Sequence, residues 1–97
     1  MKMNIKIIDE IVDINNDNAD IEVTISDNKY VATFFTLKNI STLFESYRNT
    51  GECLAGSYFW SSNMIIVKDL NEETIQSVIS QLVESDEFED VFEKIID

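Results

Sequence analysis

The sequence predicts an α+β fold: a single domain over residues 1–97, with a mostly antiparallel sheet of four to five strands and helices packed on one face. Three observations carry this. Ile21-Glu22-Val23-Thr24-Ile25 alternates β-branched and polar residues, the period of a half-buried strand. Leu37, Ile40, Leu43, Phe44 and Tyr47 recur at the spacing of one helix face. Short stretches of turn residues separate the segments, which favours antiparallel neighbours. The expected element order is β-β-β-α-β-β-α-α. A chain of 97 residues suits one domain. It buries roughly 60–70% of its unfolded surface, enough for a core without disulfides or metals.

Met3-Asn4-Ile5-Lys6-Ile7 alternates as a strand does. Residues 8–14 are either a second strand or a bent continuation of the first. Asn15-Asn16-Asp17-Asn18 is turn chemistry, because Asn and Asp bond to their own backbone and tolerate positive φ. After Ile21–Ile25, Asp27-Asn28 turns the chain into Tyr30–Phe35, which is apolar enough on both faces to lie centrally. Thr36 is placed to cap the next helix and Gly51 to end it in the left-handed region. Tyr58–Trp60 and Met64–Lys68 then read as a hairpin around Ser61-Ser62-Asn63, with Asn63 positioned for positive φ. Asn71 is an expected N-cap, with Glu72 and Glu73 in the first turn and Leu70 and Ile75 as a hydrophobic staple. A last helix is expected from Asp86, in capping-box spacing with Glu89, burying Phe88, Val91, Phe92, Ile95 and Ile96.

Composition excludes more than it identifies. The net charge of −12 argues against nucleic acid and anionic membrane, whose affinity comes largely from Lys and Arg. The charge is also uneven. Residues 69–97 hold ten acids against Lys94 alone, while residues 1–68 hold nine against six bases. Such a surface is either a solubilising shell or a field that attracts a basic protein. No secretory signal or membrane span is read, so a cytoplasmic protein is expected.

Catalytic equipment is sparse. Without histidine there is no Ser-His-Asp or Cys-His system and no common zinc ligand. A single Cys53 forms no internal disulfide and reads as a small hydrophobe or surface thiol. Asp13-x-Asn15-x-Asp17 opens like a calcium loop, but Asn18 replaces the turn glycine and Thr24 the bidentate Glu. Adjacent carboxylates such as Glu72/Glu73 and Glu89/Asp90 point apart on a helix and stay solvated. Two glycines make no phosphate loop. No catalytic residue, cofactor or metal is therefore expected, and no enzyme.

Tyr58-Phe59-Trp60 leaves two readings open. Large aromatics carry much of a small domain's burial, which favours the core. Tyr and Trp also dominate binding hot spots, which makes Tyr58 and Trp60 candidate anchors.

The runs Tyr30–Ile40, Thr50–Cys53, Tyr58–Trp60 and Met64–Val67 resemble those of small bacterial immunity-type proteins, over roughly residues 29–95. The resemblance implies a protein that neutralises a toxin by binding it. Its motifs are fold determinants, so it supplies no site residue. Charge and resemblance together lead to a non-enzymatic inhibitor of a basic protein partner, a nuclease toxin for example. The expected partner-binding residues are Glu72, Glu73, Glu84, Asp86, Glu87, Glu89 and Asp90 for steering, with Tyr58 and Trp60 as anchors. A monomer or weak homodimer is expected, and the alternative is a self-associating module.

Overall fold

The computed structural model describes residues 3–95. Its elements are β1 (Met3–Ile7), β2 (Asn18–Ile25), β3 (Asn28–Thr36), α1 (Leu37–Thr50), α2 (Glu52–Gly56), β4 (Met64–Val67), α3 (Glu72–Glu84), α4 (Phe88–Val91) and β5 (Glu93–Ile95). The fold is α+β, with one five-stranded, mostly antiparallel sheet.

β1, β2 and β3 form an antiparallel meander. Ile25 faces Asn28, so Ser26-Asp27 makes the two-residue turn, one position before Asp27-Asn28. Both turn residues have positive φ (49° and 69°), the geometry whose twist matches the flanking strands. Alternation sends Ala19, Ile21 and Val23 of β2 and Tyr30, Ala32 and Phe34 of β3 to one face. Ile75 and Ile79 of α3 and Phe88 of α4 close over it, with Leu70 and Phe92. The Leu70–Ile75 staple is in place, both residues being buried.

An aromatic row organises this core. Phe88 and Phe92 stack at 4.4 Å, Tyr30 meets Phe88 edge-on at 5.1 Å, and Phe34 meets Phe92 at 6.0 Å. The small Ala32 lies between Tyr30 and Phe34 on β3, leaving room for the stacked pair.

Three expected elements differ. Tyr58–Trp60 is not a strand. β4 instead pairs parallel with β3 (Thr33↔Met64 through Thr36↔Val67), and a parallel return needs a long crossover, here residues 37–63. β4 covers only the last part of the β3 edge. The first part, Lys29–Val31, is taken by β5, so the expected last helix stops after one turn. Asp86 has φ 62° and Glu87 makes no side-chain cap, so the capping box is not formed. Ile95 lies in β5, 38% exposed, and Ile96 is outside the described residues. Residues 8–14 form neither expected strand but an irregular connection, held where the Asp9 carboxylate accepts the Asp20 amide at 2.7 Å.

Helix caps follow local chemistry. Gly51 (φ 88°) donates its amide to the Tyr47 carbonyl at 2.8 Å, ending α1 as expected. Asn71 precedes α3 with extended backbone, but its side chain makes no capping bond. Asp69 accepts the Asn71 amide at 3.0 Å instead.

Thr36, 1% exposed, is where β3 becomes α1. Its hydroxyl accepts the Asn39 amide at 3.1 Å and the Asp17 amide at 3.3 Å, and its own amide donates to the Asp17 carbonyl at 3.2 Å. Thr36→Ala removes a cap and leaves two partly buried donors, the Asp17 and Asn39 amides, without that acceptor. An expected loss of about 1–3 kcal/mol in urea unfolding follows, with Thr36→Ser recovering most of it.

Candidate interaction surface

α1 buries no residue fully. Its apolar face, expected as a packing stripe, is half-buried at Ile40, Leu43, Phe44 and Tyr47, and Leu37 is 65% exposed. The helix runs about 21 Å and forms an arm that the following segment folds back to cover. Phe59 makes that seal, 5.2 Å edge-on from Phe35 and 6.3 Å from the Tyr47 ring.

The connection is sterically unusual. Cys53, Leu54 and Ala55 have φ of 51°, 51° and 56°, so α2 is a left-handed turn. Each such residue costs roughly 1–2 kcal/mol, partly offset by Ala55 N–H to Gly51 O (3.2 Å) and Ser57 N–H to Cys53 O (3.0 Å). Gly56 (φ 78°) lies against α1 so closely that a Cβ would stand 2.5 Å from the Phe44 carbonyl oxygen.

With Phe59 turned inward, its neighbours face solvent: Tyr58 is 47% and Trp60 69% exposed. Burial of Tyr58 and Trp60 in the core, as a strand would have given, is thereby overturned. Leu54 and Ile66 are exposed as well and were not legible as such, because the left-handed turn at Leu54 has no sequence period and the continuous apolar run Met64–Val67 does not show which of its residues faces out. Residues 37–60 carry two acids (Glu45, Glu52) and two bases (Lys38, Arg48). The exposed aromatics therefore sit on an electrically neutral arm of a strongly acidic protein.

All seven steering carboxylates are exposed, in two groups. Glu72 and Glu73 stand at the start of α3, about 18 Å along the helix axis from Glu84. Glu84, Asp86, Glu87, Glu89 and Asp90 follow one another in the chain from the end of α3 into α4, and Glu93 opens β5 just beyond. Among the described residues the ion pairs are Lys29–Glu22 (3.9 Å) and Arg48–Glu45 (3.4 Å), so none of the seven is paired with a cation. The Asn63 side-chain amide donates to the Val91 carbonyl at 3.0 Å. Three residues of chain reach at most about 11 Å, so Trp60 lies within that span of Asn63, whose side chain is tied to the end of α4.

Burial pushes the Tyr30 phenol above its ordinary pKa, and the Glu89 carboxylate, which accepts its hydroxyl at 3.3 Å, adds to the shift. The Val12 and then the Asn18 amides hold Asp17 below the usual carboxylate range. The Thr74 hydroxyl and then the Asn71 amide do the same for Asp69. Asp13 and Asp17 of the calcium-like sequence thus accept backbone amides of their own turn. Among the described residues no three His, Cys, Asp or Glu side chains are placed to hold a metal. No helix among them is long and apolar enough to cross a membrane.

No family model matches the chain, and no curated protein or solved structure matches it either. The surface therefore has to be interpreted from its own chemistry.

Gly56→Ala is expected to detach the connector from α1. Protease cleavage between residues 51 and 60 then accelerates, with a stability loss of about 1–3 kcal/mol. A second outcome follows from Tyr30. Its folded pKa is raised, so its contribution to stability is present below the ordinary tyrosine pKa and lost as pH rises through the folded value. An ultraviolet titration should show a phenolate step coinciding with unfolding at high pH, and Tyr30→Phe should remove that step.

Proposed function

We propose that this chain is a non-enzymatic cytoplasmic binding protein that captures a basic protein by direct contact, as an immunity protein neutralises a toxin. The observation that supports this most is that the unpaired carboxylates at the end of α3 and α4 and the exposed Trp60 and Tyr58 on a neutral arm belong to segments tied together by the Asn63–Val91 bond. Charge of one sign raises the encounter rate with a positive partner. Aromatics that are not screened by their own charge then supply the desolvated anchor. A nuclease toxin fits because its anionic substrate requires a basic surface.

The bond from Asn63 to Val91 lets one partner engage both features. Glu72 and Glu73 lie at the far end of α3 and act through the long-range field.

The test is kinetic. With the partner captured from the producing cell, the association rate should fall at least ~10-fold between low and high salt, since screening shortens the field to a few ångströms. Glu87→Lys with Asp90→Lys should slow association about 10-fold, and Trp60→Ala should instead speed dissociation by about 10-fold or more. A rate insensitive to salt removes the proposal.

A second reading, self-association, draws on the open edge of β4 beside the exposed Ile66. It predicts a dimer in sedimentation of the protein alone, where the first predicts a monomer until the partner arrives.

A further inference from the structure

Among the described residues β4 ends the sheet, with no strand paired to its outer edge. The Thr33 amide donates to the Asn63 carbonyl at 2.9 Å. In a parallel ladder this turns the backbone groups of residues 63, 65 and 67 toward β3, and those of Met64, Ile66 and Lys68 outward. Beside this edge runs a groove of about 560 Å³ between β4 and α3, whose lining includes Ile66, Val67, Lys68, Asp69, Glu73 and Val78 and so carries two acids against one base.

We infer that the β4 edge receives an extended segment of the basic partner as a sixth strand, its alternate side chains basic and apolar. The inference rests on the capture of a basic protein described above and adds where and in what conformation that partner docks. Added strands gain affinity from main-chain bonds and specificity from alternate side-chain positions. The two faces of the incoming strand meet different surfaces here. Ile65 and Val67 pair with Phe34 and Thr36 on the core side, and Ile66 pairs with Phe35 on the opposite side. Basic side chains on the groove side reach Asp69 and Glu73. Apolar ones on the other side cover Ile66, 53% exposed.

Charge selects this occupant over a second copy. Pairing two chains of net charge −12 sets like fields together, whereas a cationic strand is attracted. The other outer edge, β1, has Glu72 and Asp27 in the grooves beside it, but the exposed residues within that strand are Asn4 and Lys6, so it offers no exposed apolar side chain like Ile66.

The probe is an eight-residue peptide of alternating Val and Lys, added to the intact chain and followed by backbone amide NMR and hydrogen exchange. The amides of Met64, Ile66 and Lys68 should exchange rapidly in the free protein and at least ~10-fold more slowly with the peptide bound. Ile66→Pro removes an outward amide without breaking a ladder bond, the position where an edge strand tolerates proline. It should keep the circular dichroism of the parent and weaken peptide binding at least ~10-fold. Glu73→Lys, on the exposed surface of α3, should weaken it about 5-fold at low salt and little at high salt.

Shifts confined to α4 or the aromatic arm, unchanged binding by Ile66→Pro, or no binding of the peptide at millimolar concentration would each overturn the inference. So would a free protein that is dimeric and made monomeric by Ile66→Pro, which assigns the edge to a second copy. If Glu87→Lys with Asp90→Lys slows capture of the basic partner while Ile66→Pro leaves it intact, the docking edge is wrong and the proposed function stands. If neither variant matters, both fall.

Discussion

Everything beyond the first three strands depends on how the chain leaves β3, and a single buried hydroxyl governs that exit. Thr36 Oγ1 caps α1 through the Asn39 amide while accepting the Asp17 amide from the turn that precedes β2. Around it, the Asn18 side chain donates to Asn39 Oδ1 at 2.9 Å, and Asn39 and Thr42 reach Asn16 Oδ1 at 3.4 and 3.3 Å. The first turn of α1 is thus tied to a turn some twenty residues earlier in the chain. Such a network orients a helix that has too little apolar burial to orient itself.

The arm's direction has consequences for its other end. A helix leaving the sheet at that point carries the chain away from the core, and the chain must return to start β4. The left-handed turn at 53–55 and the close approach of Gly56 to Phe44 make the reversal within a few residues. Strain of this kind persists only where surrounding contacts over-determine it. Here those contacts are Phe59 between Phe35 and Tyr47. Seating one aromatic of three leaves the other two outside, so Trp60 is exposed as a consequence of how the reversal is sealed.

At the opposite end the aromatic row of Tyr30, Phe88, Phe92 and Phe34 determines where the carboxylates sit. Phe88 and Phe92 anchor α4 to β3, and of the three residues between them Val91 packs against the core while Glu89 and Asp90 are exposed. Burial of one face of a single helical turn thus presents acid on the other. Core and charged surface are two sides of one short segment, which couples any repacking of the row to the geometry of the acidic face.

Most of the sheet and both longer helices were legible in the sequence, since alternation, helical spacing, Thr36 and Gly51 are local signals. β1–β3, α1 and α3 need only neighbours within a few residues to be recognised. Tyr58–Trp60 and residues 86–96 were not, because short apolar runs carry no decisive period. What settled them was competition for the β3 edge, whose two parts go to β4 and β5. The acidic character of the last third and the absence of histidine are likewise properties of the sequence alone. The tertiary structure decided that the carboxylates divide into two groups, that Trp60 and Tyr58 are exposed, and that β4 runs parallel to β3 at the end of the sheet. Those are relations between residues far apart in the chain, set by packing around the aromatic row and the Thr36 junction, and no local pattern encodes them.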